Sequence, residues 1–382
     1  MTRLLITAAE ASCGLGRTLG EAWPRLLAGE SAARDVTVPG LEAWPGRWMG
    51  APADVRPADL IDGLLATSEV SARDVGLCLG ASKGDLSRTP SASGTVDTPL
   101  FAYDAGPSRW LDAVRRRHRF GGPAACVVSA CASGLTAVVR AAEWVQRGLC
   151  EAVIAGAADA SLNPLVMASY RRAGVLSSWE GDASGACRPF DRRRSGFVIG
   201  EGCGVLLIES AASATARGAT PLVALSGWDT RTDPTDLVAL SPRGEAIAYA
   251  VRAAIADAGL RPSEIDAVCC HGTGTRLNDR AEANGLRVAF GPRLEEVPCV
   301  SLKPAIGHTL GASGAVELAF AVEMLRSQML PPRVCQLDVD PDCPIGPLPR
   351  SAASRPIRHL LKLSAGFGGP VAAVVLSAAT AE

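Results

Sequence analysis

Ala132-Ser133-Gly134 opens a long Ala- and Val-rich stretch, Leu135 to Gln146, and Ala312-Ser313-Gly314 opens a second one 180 residues later, running to Leu325. Both are apolar on nearly every side of a helical projection, the pattern of helices covered all round rather than lying on a surface. A chain that must bury two such helices needs sheet on both sides of them. The offset is close to half of the 382 residues. The expected architecture is therefore two similar α/β halves sharing one buried helical layer. The halves are placed at residues 1–210 and 221–382, with the Ala/Ser/Gly stretch Ser210 to Thr220 as a linker.

The first of these helices follows a β-branched run, Val127-Val128, and a turn of small residues that contains Cys131. Strand, tight turn, then helix presents one side chain to the unpaired N–H groups and the positive dipole end of the helix. Both favour thiolate, so the Cys131 thiol is expected below the free value of about 8.5. Cysteines among small residues usually serve packing, so this feature alone assigns no chemistry.

A net charge of −1 argues against a general nucleic-acid binder. No stretch reaches the roughly 18 uninterrupted apolar residues of a membrane span. The run Leu4-Leu5-Ile6 is too short for the apolar core of a secretion signal, and a cytoplasmic location is expected. The twelve cysteines form no Cys-x-x-Cys pair and no disulfide framework, so they are expected to be reduced, mostly buried, and not metal-binding. Gly14-Leu15-Gly16 lacks the remaining residues of a phosphate cradle. Residues 30 to 57 and 84 to 108 are rich in Pro, Gly and Ser and are expected to be surface loop. A helix from Trp110 to Phe120 ends in Arg115-Arg116-Arg117-His118-Arg119, either a solvated helix end or a docking patch for an acidic partner.

Two of the four histidines stand in glycine-rich turns after apolar segments: His271 in Cys270-His271-Gly272-Thr273-Gly274-Thr275, and His308 in Lys303-Pro304-Ala305-Ile306-Gly307-His308. With Cys131 they make a candidate Cys/His/His site. Of 38 basic residues only Lys83, Lys303 and Lys362 are lysine, so Lys303 inside a motif points to a need for a compact ammonium rather than a planar fork. Glu317, inside the second apolar helix, requires a buried partner and is expected to be a hydrogen-bonded structural carboxylate rather than a cation ligand.

Taken in order, Ala-Cys-Ala-Ser-Gly (130–134), Arg-Pro-Phe-Asp-x-x-Arg-x-Gly-Phe-Val-x-Gly-Glu-Gly (188–202), His-Gly-Thr-Gly-Thr-x-x-Asn-Asp-x-x-Glu (271–282), Lys-x-x-x-Gly-His (303–308) and Gly-Phe-Gly-Gly (366–369) resemble an elongating β-ketoacyl–acyl-carrier-protein synthase of the thiolase-like superfamily. A thiolase would place a second catalytic cysteine in the final glycine loop, and Ser364 to Val371 has none. A CoA-primed initiating enzyme would have an Asn-centred motif in place of Lys303 to His308.

The resemblance implies a thiolase-like α/β fold in an αβαβα arrangement and an acyltransferase without cofactor or metal. It implies that Cys131 carries the acyl chain while His271 and His308 hold the thioester carbonyl of a malonyl unit and stabilise the enolate left by CO2. Lys303 would pair with Glu282, with Asp279 in support. Thr273 and Thr275 would bind the pantetheine arm. Phe367 would supply an oxyanion N–H and gate the acyl pocket. The implied partners are acyl carrier protein, docked at Arg115, Arg116, Arg117 and Arg119, acyl and malonyl thioesters, and a second subunit, as a homodimer or as a heterodimer with a ketosynthase-like chain. Two other readings stay open: a chain-length-factor-like partner subunit, and an acyltransferase that does not decarboxylate. Departures from the family pattern lie between Thr37 and Arg109 and at Ala365 and Val371, where relatives usually carry Phe and Asn. They point to a specialised enzyme of fatty-acid or polyketide type, in particular a secondary-metabolite ketosynthase.

Overall fold

The computed structural model describes residues 2–36, 46–50, 55–84, 106–335 and 338–379. Most of the expected 84–108 loop, and part of the 30–57 loop, lie outside the described residues. The first half contributes β1 (Leu4–Ser12), β2 (Val75–Gly80), β3 (Ala124–Val127), β4 (Ala152–Asp159) and β5 (Gly202–Ser210). The second contributes β6 (Val223–Thr232), β7 (Ala267–Cys269), β8 (Cys299–Val300), β9 (His359–Ala365) and β10 (Pro370–Ala378). Their order across the sheet is β3-β2-β4-β5-β1 followed by β6-β10-β9-β7-β8. The second group therefore repeats the first with the same connectivity, and the groups meet where Leu4 to Ile6 pair antiparallel with Val223 to Leu225. The last strand of each group, β5 or β10, runs antiparallel to its neighbours, while β2–β3, β2–β4, β7–β8 and β7–β9 are parallel. Strands such as Ala152–Asp159 are buried along their whole length, as continuous apolar runs in a covered sheet should be.

The longer helices that pack on the sheet include α1 (Leu19–Leu27), α2 (Pro57–Ser68), α3 (Arg109–Arg117), α4 (Ser133–Gln146), α5 (Glu245–Asp257), α6 (Arg276–Phe290) and α7 (Ser313–Ser327). Helices α4 and α7 touch strands of both groups and each other, forming the expected central layer. The pair α2/α3 covers the outer face of the first group and α5/α6 that of the second, each over its own apolar cluster. The two central helices meet at Gly134 and Gly314. A Cβ on Gly134 would lie 2.8 Å from the Ala315 nitrogen, and one on Gly314 2.4 Å from the Leu135 nitrogen. Only glycine permits backbones this close, which is why the small-residue triplet recurs.

Two expectations change. Within residues 30–57, Arg34–Val36 and Gly46–Met49 pair as strands and the latter joins Ile199–Gly200, anchoring the segment to the 188–202 motif. The supposed linker is a helix over Ala211–Ala216, capped by the Ser210 hydroxyl accepting from the Ser213 amide. Alanine's helix propensity outweighs the loop-like composition. Every cysteine is a free thiol, and no helix among the described residues is long and apolar enough to cross a membrane.

Candidate active site

Cys131 sits in a 3-10 turn, Ala130–Ala132, at the head of α4. Ala130 takes a left-handed φ of 46°, unusual for a residue with a Cβ. The bend is held by Ser133, whose hydroxyl accepts from the Ser129 amide at 2.9 Å and donates to the Ala130 carbonyl at 2.6 Å. The final glycine loop closes over the thiol. A Cβ on Gly366 would come within 2.9 Å of the Cys131 nitrogen, and the Phe367 amide donates to the Cys131 sulfur.

Burial pushes the Cys131 thiol up to about 11, opposed by the Lys83 and Lys303 ammoniums and the Phe367 N–H. The expected fall below the free value is thus corrected. A helix N-terminus favours thiolate, but at 7 % exposure the loss of hydration outweighs it and favours the protonated thiol.

His271 follows β7 and is 2 % exposed; His308 follows the short helix Lys303–Ile306 and is 1 % exposed. Their rings lie 5.4 Å apart and nearly perpendicular, with Phe197 packed edge-on against His308 at 4.9 Å. Burial, with Lys303 next in size, holds both imidazoles well below their ordinary pKa, so both are neutral. The ammonium of Lys303 lies 3.4 Å from Nδ1 of His271. It has no lone pair, so Nδ1 accepts and Nε2 carries the proton. Nδ1 of His308 is bound to the Ser313 hydroxyl at 2.9 Å.

The partner of Lys303 differs from the expected one. Its Nζ pairs with Glu317 at 2.7 Å and also donates to the His271 carbonyl. Glu282 instead accepts the amides of His271 and Gly272 at 2.5 and 2.7 Å, and burial raises it to about 7. Glu317 is thus the hydrogen-bonded structural carboxylate expected, with Lys362 on its other oxygen at 2.5 Å. Neither the Glu317–Lys303 pair nor Lys362 lies in one motif. The rarity of lysine was the available signal for Lys362.

Asp279 accepts from the amides of Thr273 and Gly274, both at 3.1 Å, and from Phe190 at 2.8 Å. It is 3.7 Å from Arg194, which also reaches Asp340. Arg188 pairs with Asp191 and stacks 4.1 Å from the Trp179 ring. Arg194 of the 188–202 motif therefore holds the histidine loop, donating also to the Thr275 and Arg276 carbonyls, while Phe197 reaches the site. The hydroxyls of Thr273 and Thr275 are 2.9 Å apart. One cavity of about 730 Å³ is lined by Cys131, His271, His308, Thr273, Thr275 and Phe367, with Val238, Leu240 and Leu277 among its apolar wall. In the arginine cluster, Arg117 pairs with Asp59 and Asp62 of α2 and His118 with Asp62, which ties α3 to α2. Arg115, Arg116 and Arg119 are exposed.

A thiol under the Phe367 N–H, sharing a largely apolar cavity with two neutral imidazoles, is suited to acyl transfer and to stabilising a developing enolate. The model of the β-ketoacyl synthase N-terminal domain matches residues 60–214, and that of the C-terminal domain residues 222–336. A putative polyketide β-ketoacyl synthase 1 of Streptomyces halstedii is 35% identical over 342 residues, covering 82% of this chain and 80% of that one. A protein of the same description from Streptomyces cyaneus is 38% identical over 261 residues, 68% of this chain; the match spans 62% of that relative's length. A chain of a solved complex, a type II polyketide-synthase acyl-carrier protein with its ketosynthase bound to the hexaketide, superposes with a TM-score of 0.87 at 26% identity, covering 99% of this chain and 100% of that one. Site geometry, both domain matches and the 342-residue similarity agree that the chain belongs to the β-ketoacyl synthase family.

Proposed function

We propose that the protein is a β-ketoacyl–acyl-carrier-protein synthase. The observation that carries this reading is the shared cavity, in which the Cys131 sulfur, under the Phe367 N–H, faces the neutral His271 and His308. The Cys131 sulfur attacks an acyl thioester, forming acyl-Cys131 and releasing the carrier thiol, which takes the proton. Malonyl thioester then enters with its carbonyl oxygen between the two imidazoles. The C–C bond to the carboxylate breaks, CO2 leaves, and its electron pair becomes an enolate stabilised by the N–H of His271 and by His308. The enolate carbon attacks the acyl carbonyl. The resulting oxyanion is held by the N–H groups of Cys131 and Phe367, each donor worth roughly 3–4 kcal/mol. Collapse expels the Cys131 thiolate, which is reprotonated from solvent, and the chain is two carbons longer. Thr273 and Thr275 bind the pantetheine amides, Phe367 gates the acyl pocket, and Lys303, Glu282 and Asp279 hold the histidine turns.

The partner is an acyl carrier protein docked over Arg115, Arg116 and Arg119, and the reaction runs in the cytoplasm without cofactor or metal. The nucleophile belongs to the half 1–210 and the histidines to 221–382. A second subunit pairs along β3, which among the described residues is an edge strand hydrogen-bonded to β2 alone in the sheet and is followed by Val128 at 57 % exposure. The subunit is a second copy or a ketosynthase-like chain. Relatives named as polyketide synthases favour a secondary-metabolite chain as substrate. The retained Cys131 weighs against a purely non-catalytic subunit.

Incubation with acyl- and malonyl-carrier protein is expected to yield 3-oxoacyl product and CO2. A wild-type protein that never acylates at Cys131 refutes the reading; acylation without CO2 release replaces it with a non-decarboxylating acyltransferase.

A further inference from the structure

The chain uses arginine for 35 of its 38 basic residues, yet its three lysines all bear on one place. Lys83 and Lys303 act on Cys131, and Lys303 and Lys362 share Glu317. The condensation described above gives Lys362 no task. It lies in β9, fully buried, and its Nζ meets three oxygens: Glu317 Oε2 at 2.5 Å, the Leu363 carbonyl at 2.8 Å and the Cys270 carbonyl at 3.3 Å. An ammonium has three donors to give, and all three are used. A point charge fits this small cage where a planar guanidinium would not.

The acceptors are placed so that the cage spans three parts of the site. Cys270 immediately precedes His271. Leu363 lies on the strand that runs into the Phe367 loop. Glu317, on α7, takes Lys303 on its other oxygen, and Lys303 in turn holds the His271 carbonyl. Successive carbonyls, of residues 270 and 271, are thus each bound by an ammonium, and both ammoniums are bound by one carboxylate. Burying a charge without full compensation is costly, and well-packed apolar side chains in place of a whole buried ion triad can be neutral or stabilising. An ion triad at this spot is explained by what it orients.

We infer, resting on the condensing-enzyme reading, that Lys362 is a positioning residue for the decarboxylating half of the reaction, fixing the His271 backbone to Glu317 and to the strand that leads into the Phe367 loop. Loss of its charge displaces His271 from the thioester carbonyl while leaving the Cys131 turn, which Ser129, Ala130 and Ser133 hold, in place.

The test separates the half-reactions. Wild type, Lys362→Met and Lys362→Gln are compared for acylation of Cys131 by acyl-carrier protein, followed by intact-protein mass, and for CO2 release from malonyl-carrier protein. The inference expects CO2 release to fall about 10²-fold, the size of an ångström-scale misplacement, with acylation retained. A parallel fall in both steps, or no fall in either, overturns it. If the Met variant does not fold, the Gln variant, which leaves the Glu317–Lys303 pair intact, carries the same comparison; a Gln variant that also fails to fold assigns Lys362 to the framework and overturns the inference. If wild type performs neither step, the condensing-enzyme reading itself fails, an outcome distinct from the others.

Discussion

The turn that presents Cys131 has a twin. Ala130–Ala132 and Leu310–Ala312 are both 3-10 turns, both open on a residue at φ 46°, and both lead into a buried helix through a serine. What the two do with this backbone differs. In the first half Ser133 is spent on closing the bend. In the second, Ser313 bonds Nδ1 of His308 and lies 3.1 Å from the Thr309 hydroxyl. Where the first turn has Cys131, the second has Gly311, whose amide donates to Asp159 and whose missing Cβ would lie 2.4 Å from the Ser82 nitrogen. A repeated fold therefore supplies the strained turn twice, and the side chains of the site are divided: the cavity's thiol comes from one copy, the hydroxyl that holds an imidazole from the other.

The sharpest way to break the comparison is to remove the side chain that the second turn lacks. Cys131→Ala makes the first turn resemble the second, and acyl-enzyme formation should vanish, with overall turnover lost by a factor on the order of 10⁶, as for loss of a catalytic nucleophile elsewhere. Intact-protein mass after incubation with acyl-carrier protein reads this directly. Residual acylation at another cysteine would disprove the assignment.

Exchanging the serines separates orientation from architecture. Ser313→Ala leaves Nδ1 of His308 without its partner, so kcat should drop roughly 10–100-fold through loss of the fixed ring. Each serine is buried and makes two links, so Ser313→Ala and Ser133→Ala should both cost about 1–3 kcal/mol of stability. With the thermal unfolding temperature lowered in both, steady-state turnover should fall much further for Ser313→Ala. Equal behaviour would mean that the two turns are used alike.

Gly311→Ala probes the steric side. The added methyl meets the backbone of Ser82, which no rotamer change relieves, and the expected cost is about 1–3 kcal/mol of overpacking. Gly148→Ala, at a site with open space around it but φ +68°, should cost only the backbone term, about 1–2 kcal/mol. Urea midpoints distinguish the two.

Much of this asymmetry was legible in the chain, because a turn followed by an all-apolar helix can be seen in one dimension. The repeated Ala-Ser-Gly triplet located the central layer, and the glycine-rich turns located His271 and His308. The partner of Lys303 was not legible. Glu282 lies within a motif beside His271, whereas Glu317 reaches Lys303 only because α7 passes behind the histidine loop. Lys362 sits in an apolar strand with no motif around it, so nothing but the scarcity of lysine marked it. The thiol's pKa failed for a related reason: a helix terminus is visible in sequence, while the burial that outweighs it is a property of the packed site. The helix Ala211–Ala216 was hidden by its composition, since small residues serve linkers and helices alike.

The smallest expected effect concerns the electrostatics that only the first turn experiences. Among the charges acting on Cys131, Lys83 is the largest influence toward thiolate, and it is anchored by Asp159 at 3.3 Å. Lys83→Met removes a positive charge, which favours the neutral thiol, so the already raised titration of Cys131 should move further up. Alkylation by iodoacetamide follows the thiolate fraction, and its rate in wild type should climb with pH toward about 11. At pH 9 the variant should react several-fold more slowly, a shift of half a unit being worth about 0.7 kcal/mol. Labelling specific to Cys131, followed by peptide mass against pH, measures both curves. Coincident curves would show that Lys83 does not act on the thiol, leaving hydration, Lys303, Asp159 and the Phe367 N–H to set it.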